Sequence, residues 1–375
     1  MTTVPRRILM TADTVGGVWT YALELARALG DYDIDVAIAT MGPEPSRPQR
    51  EEAAAIRNVD LFKSNYRLEW MQNAWADVKA AGEWLLSLEN RLQPDVVHLN
   101  GYAHAALRWK SPKLVVAHSC LYSWWSAVRQ GDPPPEWKQY KTAVQRGLRA
   151  ADLVVAPTQA MLNSLDENYP GCVKNKACVI PNGLDSQVFS PALKQKFVFS
   201  AGRLWDEAKN IQTLAGVAWQ LPWALCLAGE KRNKDSGATI DLKENCYALG
   251  SLPNETLRRW YACASIYALP ARYEPFGLTV LEAALSGCAL VLGNIESLRE
   301  NWEDVAVFVN PLDPLELRDV LFRLISNETY RQRLGRAARE QALQFTSERM
   351  AELYLDAYNS LISRPQREAF LACAS

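Results

Sequence analysis

The sequence predicts an α/β chain of two doubly wound units, each a parallel sheet covered by helices on both faces. Three observations carry that expectation. Short apolar runs alternate with longer segments of helical spacing, the pattern of strands joined by crossover helices. The alternation restarts once, after the turn-rich stretch Pro181-Asn182-Gly183 and Ser190-Pro191. Finally, 375 residues with 49% hydrophobic content exceed the length at which a single core usually keeps growing.

In the first half the strand-like runs are Ile8 to Thr11, Val36 to Ala39, Val59 to Phe62, Val96 to Leu99, Leu114 to Ala117 and Leu153 to Ala156. Between the first two, Val18, Tyr21, Ala22, Leu25 and Leu29 fall on one face of a helix from Val18 to Leu29. The second half repeats the scheme with a strand from Phe197 to Ser200, a helix from Ile211 to Trp219 and a strand from Ala224 to Ala228. Further strands follow, one ending Tyr267-Ala268-Leu269-Pro270 and one from Val305 to Val309. From Pro314 the spacing is helical throughout, and the last segment, Ser347 to Ile362, is long enough to pack back on the first domain. The expected division is therefore 1–190, 191–345 and a returning helix plus tail, 346–375.

Charge excludes little but points away from nucleic acid. There are 41 Lys plus Arg against 42 Asp plus Glu, a net charge of -1, whereas nucleic-acid-binding domains usually carry a basic excess. One local excess lies in residues 101–150, where eight basic residues face two acidic ones. It fits either a solvated helix face or a surface for an anionic substrate or lipid head group. The eight cysteines form no C-x-x-C pair and several sit in apolar runs such as Leu225-Cys226-Leu227, as expected of buried thiols in a reducing compartment. Pro5-Arg6-Arg7 runs straight into Ile8-Leu9-Met10, and no stretch reaches the roughly 18 apolar residues of a membrane span. The expectation is a cytoplasmic protein, at most peripheral to a membrane.

In an open parallel sheet, ligands bind beyond the carboxyl ends of strands, where helix N-termini offer backbone N–H groups to phosphate. Two segments fit. Asp13-Thr14-Val15-Gly16-Gly17 follows the first strand, with Gly17 opening a helix; it is not a G-x-G-x-x-G fingerprint and reads equally as a tight turn. Arg272 to Gly287 follows a later strand and carries Glu274, then Gly277 and Leu278 at the start of an apolar helix, then Glu282 within it. A carboxylate among Leu and Ala needs a partner, which vicinal ribose hydroxyls or a neighbouring Arg would supply. Asp31-Tyr32-Asp33 imitates a metal-binding Asp-x-Asp motif, but lies at the amino end of a strand, opposite the ligand edge. The three histidines have no zinc-site spacing, so no metal is expected.

The two glutamates in E-x7-E spacing resemble the nucleotide-sugar site of retaining glycosyltransferases of the GT-B fold, in glycosyltransferase family four, also called group one. The resemblance runs over nearly the whole chain. Ser200-Ala201-Gly202-Arg203-Leu204 with Lys209-Asn210 is similar to that family's strand-end Arg and Lys, Gly16-Gly17 to its N-terminal glycine turn, and Val179-Ile180-Pro181-Asn182-Gly183-Leu184-Asp185 to its interdomain segment. It implies two Rossmann-like domains facing a cleft and metal-independent transfer of a hexose-type sugar from an NDP-sugar, with no cofactor. Arg203 and Lys209 would then hold the diphosphate, with the Gly277 and Leu278 amides, while Glu282 would hold the ribose and Glu274 the sugar hydroxyls.

His118 resembles the family histidine that reaches the donor sugar across the cleft. His98, His104, Trp124 and Trp125 are candidates for the acceptor side, each with a core or structural role as the alternative. The acceptor, whether a glycan, a lipid-linked sugar or a small molecule, is left open. A GT-B-fold epimerase or phosphorylase and a non-catalytic carbohydrate-binding protein are the other functions considered. Two departures bear on the donor site: Asn294-Ile295 stands where many members have Gly-Gly, and Ala228-Gly229-Glu230 replaces a Gly-x-Gly-Pro.

Overall fold

The structure is a computed structural model that describes residues 4–232 and 237–363. Contacts between Cα atoms divide it into two compact units. The first comprises residues up to Ser123, Asp132–Gly183 and the last helix, Ser347–Ile362; the second comprises Trp124–Gly131 and Leu184–Thr346. The chain thus divides at Gly183/Leu184, several residues before the turn at Ser190-Pro191, and the second unit also claims a short segment far upstream.

The first unit contains β1 (Arg7–Asp13), β2 (Asp35–Met41), β3 (Val59–Phe62), β4 (Val96–Leu99), β5 (Lys113–Val116), β6 (Leu153–Ala156) and β7 (Ala177–Val179). They form one parallel sheet in the order β3-β2-β1-β4-β5-β6-β7. Central strands buried on both faces must be apolar throughout, which is why Ile8, Leu9 and Met10 are all fully buried. The helix Gly17–Leu29 lays Tyr21, Ala22, Leu25 and Leu29 on this sheet. The helix Ser347–Ile362 adds Met350, Tyr354, Tyr358 and Leu361 to the same core.

The second unit contains β8 (Gln195–Ala201), β9 (Ala224–Ala228), β10 (Cys246–Gly250), β11 (Ala264–Leu269), β12 (Ala289–Gly293) and β13 (Ala306–Val309). Its parallel sheet has the order β10-β9-β8-β11-β12-β13. In both sheets the strand order reverses next to the unit's first strand, between β1 and β4 and between β8 and β11. Such a reversal leaves a crevice at the carboxyl edge, and each unit sends its candidate residues there.

Candidate active site

In the second unit the loops after β8 and β11 are tied to each other. Beyond Ala201 the chain turns at Gly202, whose φ is 135°, and closes a short 3-10 turn, Glu207–Lys209, capped by the buried Asp206. Asn210 then takes a left-handed φ of 56° and starts the helix Ile211–Ala218. Its side-chain amide donates to the carbonyls of Pro270 at 2.9 Å and Pro311 at 2.8 Å, while the Arg272 amide donates to the Ala208 carbonyl at 2.8 Å. These bonds fix where Lys209 and Glu274 meet.

Lys209 Nζ donates to Glu274 Oε2, with both side chains largely buried. Arg203 is more open and is held by Asp206 at 3.0 Å, stacking over Trp205. Gly277, at φ 90°, caps the helix Leu278–Leu285; a Cβ there would lie 2.9 Å from Val280 Cγ2. The first amides of a helix have no partner within it, so this end offers donors and positive potential beside the Lys–Glu pair. Ser297 Oγ donates to the Glu274 carbonyl at 2.5 Å and steadies the loop from the other side. Glu282, one turn into the helix, is half-buried near Tyr261 and Tyr267, and burial with its charge pushes both phenols above their ordinary range. A hollow of about 380 Å³ adjoins the site, with Arg129, Arg272, Asn294 and Asn310 in its lining.

The tryptophans proposed as sugar platforms sit differently. Trp124 Nε1 donates to Asp206 Oδ1 at 3.2 Å and its ring meets Trp125 edge-on at 5.9 Å, so Trp124 braces the Arg203 loop. The two departures also gain a physical meaning. Asn294 Oδ1 accepts from Arg299 Nε at 2.5 Å, so a side chain occupies the place expected of glycine. Gly229, at φ 131°, is required because a Cβ would lie 1.8 Å from the Gly202 carbonyl oxygen.

In the first unit, Gly16 at φ 100° precedes the helix that Gly17 opens, and Val15 N donates to Asp13 Oδ1 at 2.9 Å. His118 follows β5, half-buried, with Nε2 2.8 Å from Asn100 Oδ1 and the Tyr21 ring edge-on at 4.4 Å. His98 and His104 are corrections to the acceptor-side expectation. His98 is fully buried and bonded to Tyr358 at 2.7 Å; His104 Nε2 donates to the Val78 carbonyl at 3.0 Å. Both serve the core. Asp31-Tyr32-Asp33 forms an exposed turn at the amino end of β2. Among the described residues no three His, Cys, Asp or Glu side chains gather as a metal site, and no helix is long and apolar enough to cross a membrane.

Two family models divide the chain between them: Glycosyltransferase Family 4 over residues 15–188 and Glycosyl transferases group 1 over residues 184–341. The chain belongs to the group 1 glycosyltransferases. Among curated group 1 relatives, mannosylfructose-phosphate synthase of Agrobacterium fabrum is 27% identical, covering 89% of this chain and 84% of its own length. D-inositol 3-phosphate glycosyltransferase of Xylanimonas cellulosilytica is 26% identical over 93% of each chain. Sucrose-phosphate synthase from Thermosynechococcus elongatus superposes with a TM-score of 0.80 at 18% identity, covering 96% of this chain and 100% of its own. Anabaena HepE in complex with UDP-glucose superposes at 0.74 and 17% identity, covering 95% and 100%. These likenesses show the GT-B fold.

In this group 1 glycosyltransferase, Arg203, Lys209, Glu274, Gly277, Leu278 and Glu282 lie on the segments that follow β8 and β11, at the second sheet's strand reversal. Asp206 and Asn100 went unread in the sequence. An Asp three residues after a strand-end Arg and an Asn two residues after a strand His are the only signals they leave.

Proposed function

We propose that this glycosyltransferase moves a hexosyl group from a nucleoside diphosphate sugar to an acceptor hydroxyl, with retention of anomeric configuration and without a divalent metal. The observation that carries the reading is the buried Lys209–Glu274 pair set beside Arg203 and the N-terminus of Leu278–Leu285. Transfer breaks the bond between the sugar's anomeric carbon and the phosphate oxygen. It forms a bond to the acceptor oxygen, which gives up its proton, and the nucleoside diphosphate leaves with increased negative charge. Arg203, Lys209 and the helix amides would bear that charge, as a metal does in other enzymes. Glu282 would accept from ribose hydroxyls and Glu274 from the sugar once Lys209 turns to phosphate. Gly17 would let the first unit's backbone approach the donor, and His118 would bond a donor-sugar hydroxyl.

The UDP-glucose named for HepE supports this donor class, and the names of the curated relatives support a small sugar or polyol acceptor, its phosphate ester included. A thermal-shift screen against UDP-, GDP- and ADP-sugars in the presence of a chelator tests it, because a ligand at about 100 times its Kd stabilises by about 2.7 kcal/mol. One nucleotide class should raise Tm, and Glu282→Ala should abolish that rise. No shift with any of them, or an unchanged shift in the variant, would reject the donor assignment.

A further inference from the structure

We infer that Asn100 is a positioning residue that holds His118 as the neutral Nε2–H tautomer, leaving Nδ1 as the ring's acceptor for a substrate hydroxyl. The inference rests on the proposed role of His118 and concerns how that role is set. Asn100 follows β4 at the first sheet's strand reversal. Its amide Nδ2 donates to the Thr11 carbonyl at 2.6 Å, and its backbone N–H donates to Thr11 Oγ1 at 2.9 Å. The backbone bond anchors the residue and the Nδ2 bond orients its amide, because its nitrogen must face the Thr11 carbonyl and its oxygen must face away. On that far side lie His118 Nε2 at 2.8 Å and His98 Nε2 at 3.2 Å.

An amide oxygen only accepts, so both Nε2 atoms carry hydrogen. A neutral imidazole has one N–H, which leaves both Nδ1 atoms as acceptors. For His98 that nitrogen is answered by the Tyr358 hydroxyl at 2.7 Å, supplied by the last helix. A continuous relay results: Tyr358 donates to His98, and His98 and His118 both donate to Asn100. Tyr21 lies 3.2 Å from His98 Nε2 and packs its ring edge-on against His118 at 4.4 Å, closing the remaining sides.

Burial outweighs the one contact in this nest that favours an imidazolium, the Asn100 oxygen that accepts from the ring. The groups facing the two rings are Tyr21 from the first helix, Asn100, each other, and Tyr354 and Tyr358 from the last helix. Burial raises the three phenols, so they stay neutral, and it pushes both imidazoles down to about 3. A charged His118 would present a donor at Nδ1 where the neutral ring presents a lone pair. Burial keeps the ring neutral, and Asn100 decides which of its nitrogens carries the hydrogen, so that Nδ1 receives a hydrogen bond from the sugar.

The test uses the full-length enzyme with ¹⁵N-labelled histidine, in which His118, one of three histidines, is assigned by the signal lost in His118→Ala. In the wild type, His118 should show a protonated Nε2 and an unprotonated Nδ1, unchanged from about pH 5 to 8, with no histidine limb in kcat over that range. Asn100→Asp places a carboxylate against Nε2 and should raise the imidazole pKa. Its ring should become doubly protonated as pH falls, and kcat should fall about tenfold per pH unit below the new pKa. A protonated Nδ1 in the wild type, or an Asn100→Asp enzyme with unaltered ring signals and pH profile, would overturn the inference. Because the aspartate also faces the Thr11 carbonyl and can unfold the unit, the wild-type spectrum decides the tautomer without any variant. Normal transfer by His118→Ala would instead remove the substrate role of His118, and Asn100's part in catalysis with it, an outcome separable because the wild-type ring spectrum stays as described.

Discussion

Lys209→Ala is expected to lower glycosyl transfer by about 10²–10³-fold, the usual loss when one donor to a developing anionic charge is removed from a preorganised site. The variant also strands Glu274, a carboxylate with 9% of its side chain exposed, without its cation. Breaking one half of a buried pair costs about 3–5 kcal/mol, whereas removing both partners costs far less. Two effects are thus superposed, and they can be separated. The double variant Lys209→Ala/Glu274→Ala should regain most of the lost stability in denaturant unfolding while remaining as inactive as the single variant. Recovery of transfer along with stability would mean that Lys209 serves only the fold. Near-normal transfer in Lys209→Ala would remove the residue from the chemistry altogether.

Gly229→Ala is expected to be the most disruptive single methyl group in the second unit. The added Cβ would meet the backbone oxygen of Gly202 at 1.8 Å, and φ at 131° is one that L-residues rarely adopt. Backbone on both sides cannot yield as a flexible side chain would. A cost of about 3 kcal/mol or more follows from strain and displaced packing together. The damage should also reach the site, because Gly202 N donates to the Ala228 carbonyl at 3.0 Å and Leu204 N to that of Glu230 at 3.2 Å. These bonds carry the loop that presents Arg203. Equilibrium unfolding should show the loss, and hydrogen exchange should show reduced protection at Gly202 and Leu204. A change below about 0.5 kcal/mol, typical of a surface substitution, would contradict this account.

The sheets were legible because central parallel strands must be apolar on both faces. The central runs Val96–Leu99, Leu153–Ala156 and Ala224–Ala228 are strands with the bounds read from the sequence. The edge strands β7 and β10 escape the same reading: Ala177 and Tyr247 are exposed, so no continuous apolar run marks them. The Glu274 to Glu282 segment and Arg203 with Lys209 were legible because their spacing is local. What ties them together is not. Asn210 reaches Pro270 and Pro311, and His98 is buried by Tyr358, 260 residues away. A histidine at the end of a strand looks the same whether solvent, substrate or a distant helix covers it, which is why His98 and His104 read as candidates while Asn100 did not. The division at Ser190-Pro191 was drawn from turn residues, whereas the observed division follows packing, which Leu184 and Phe189 already join on the second unit's side.

The central claim is that the β8 and β11 loops hold a nucleoside diphosphate through protein cations and helix amides, without a divalent metal. Titration calorimetry of UDP, GDP and ADP into the wild type and Lys209→Ala, each in excess chelator, tests it most directly. The account predicts that one of the three binds the wild type under these conditions and binds the variant about 100-fold more weakly, roughly 2.7 kcal/mol of a charge-assisted contact. Binding that appears only when a divalent cation is restored, or equal affinity in the two proteins, would contradict it.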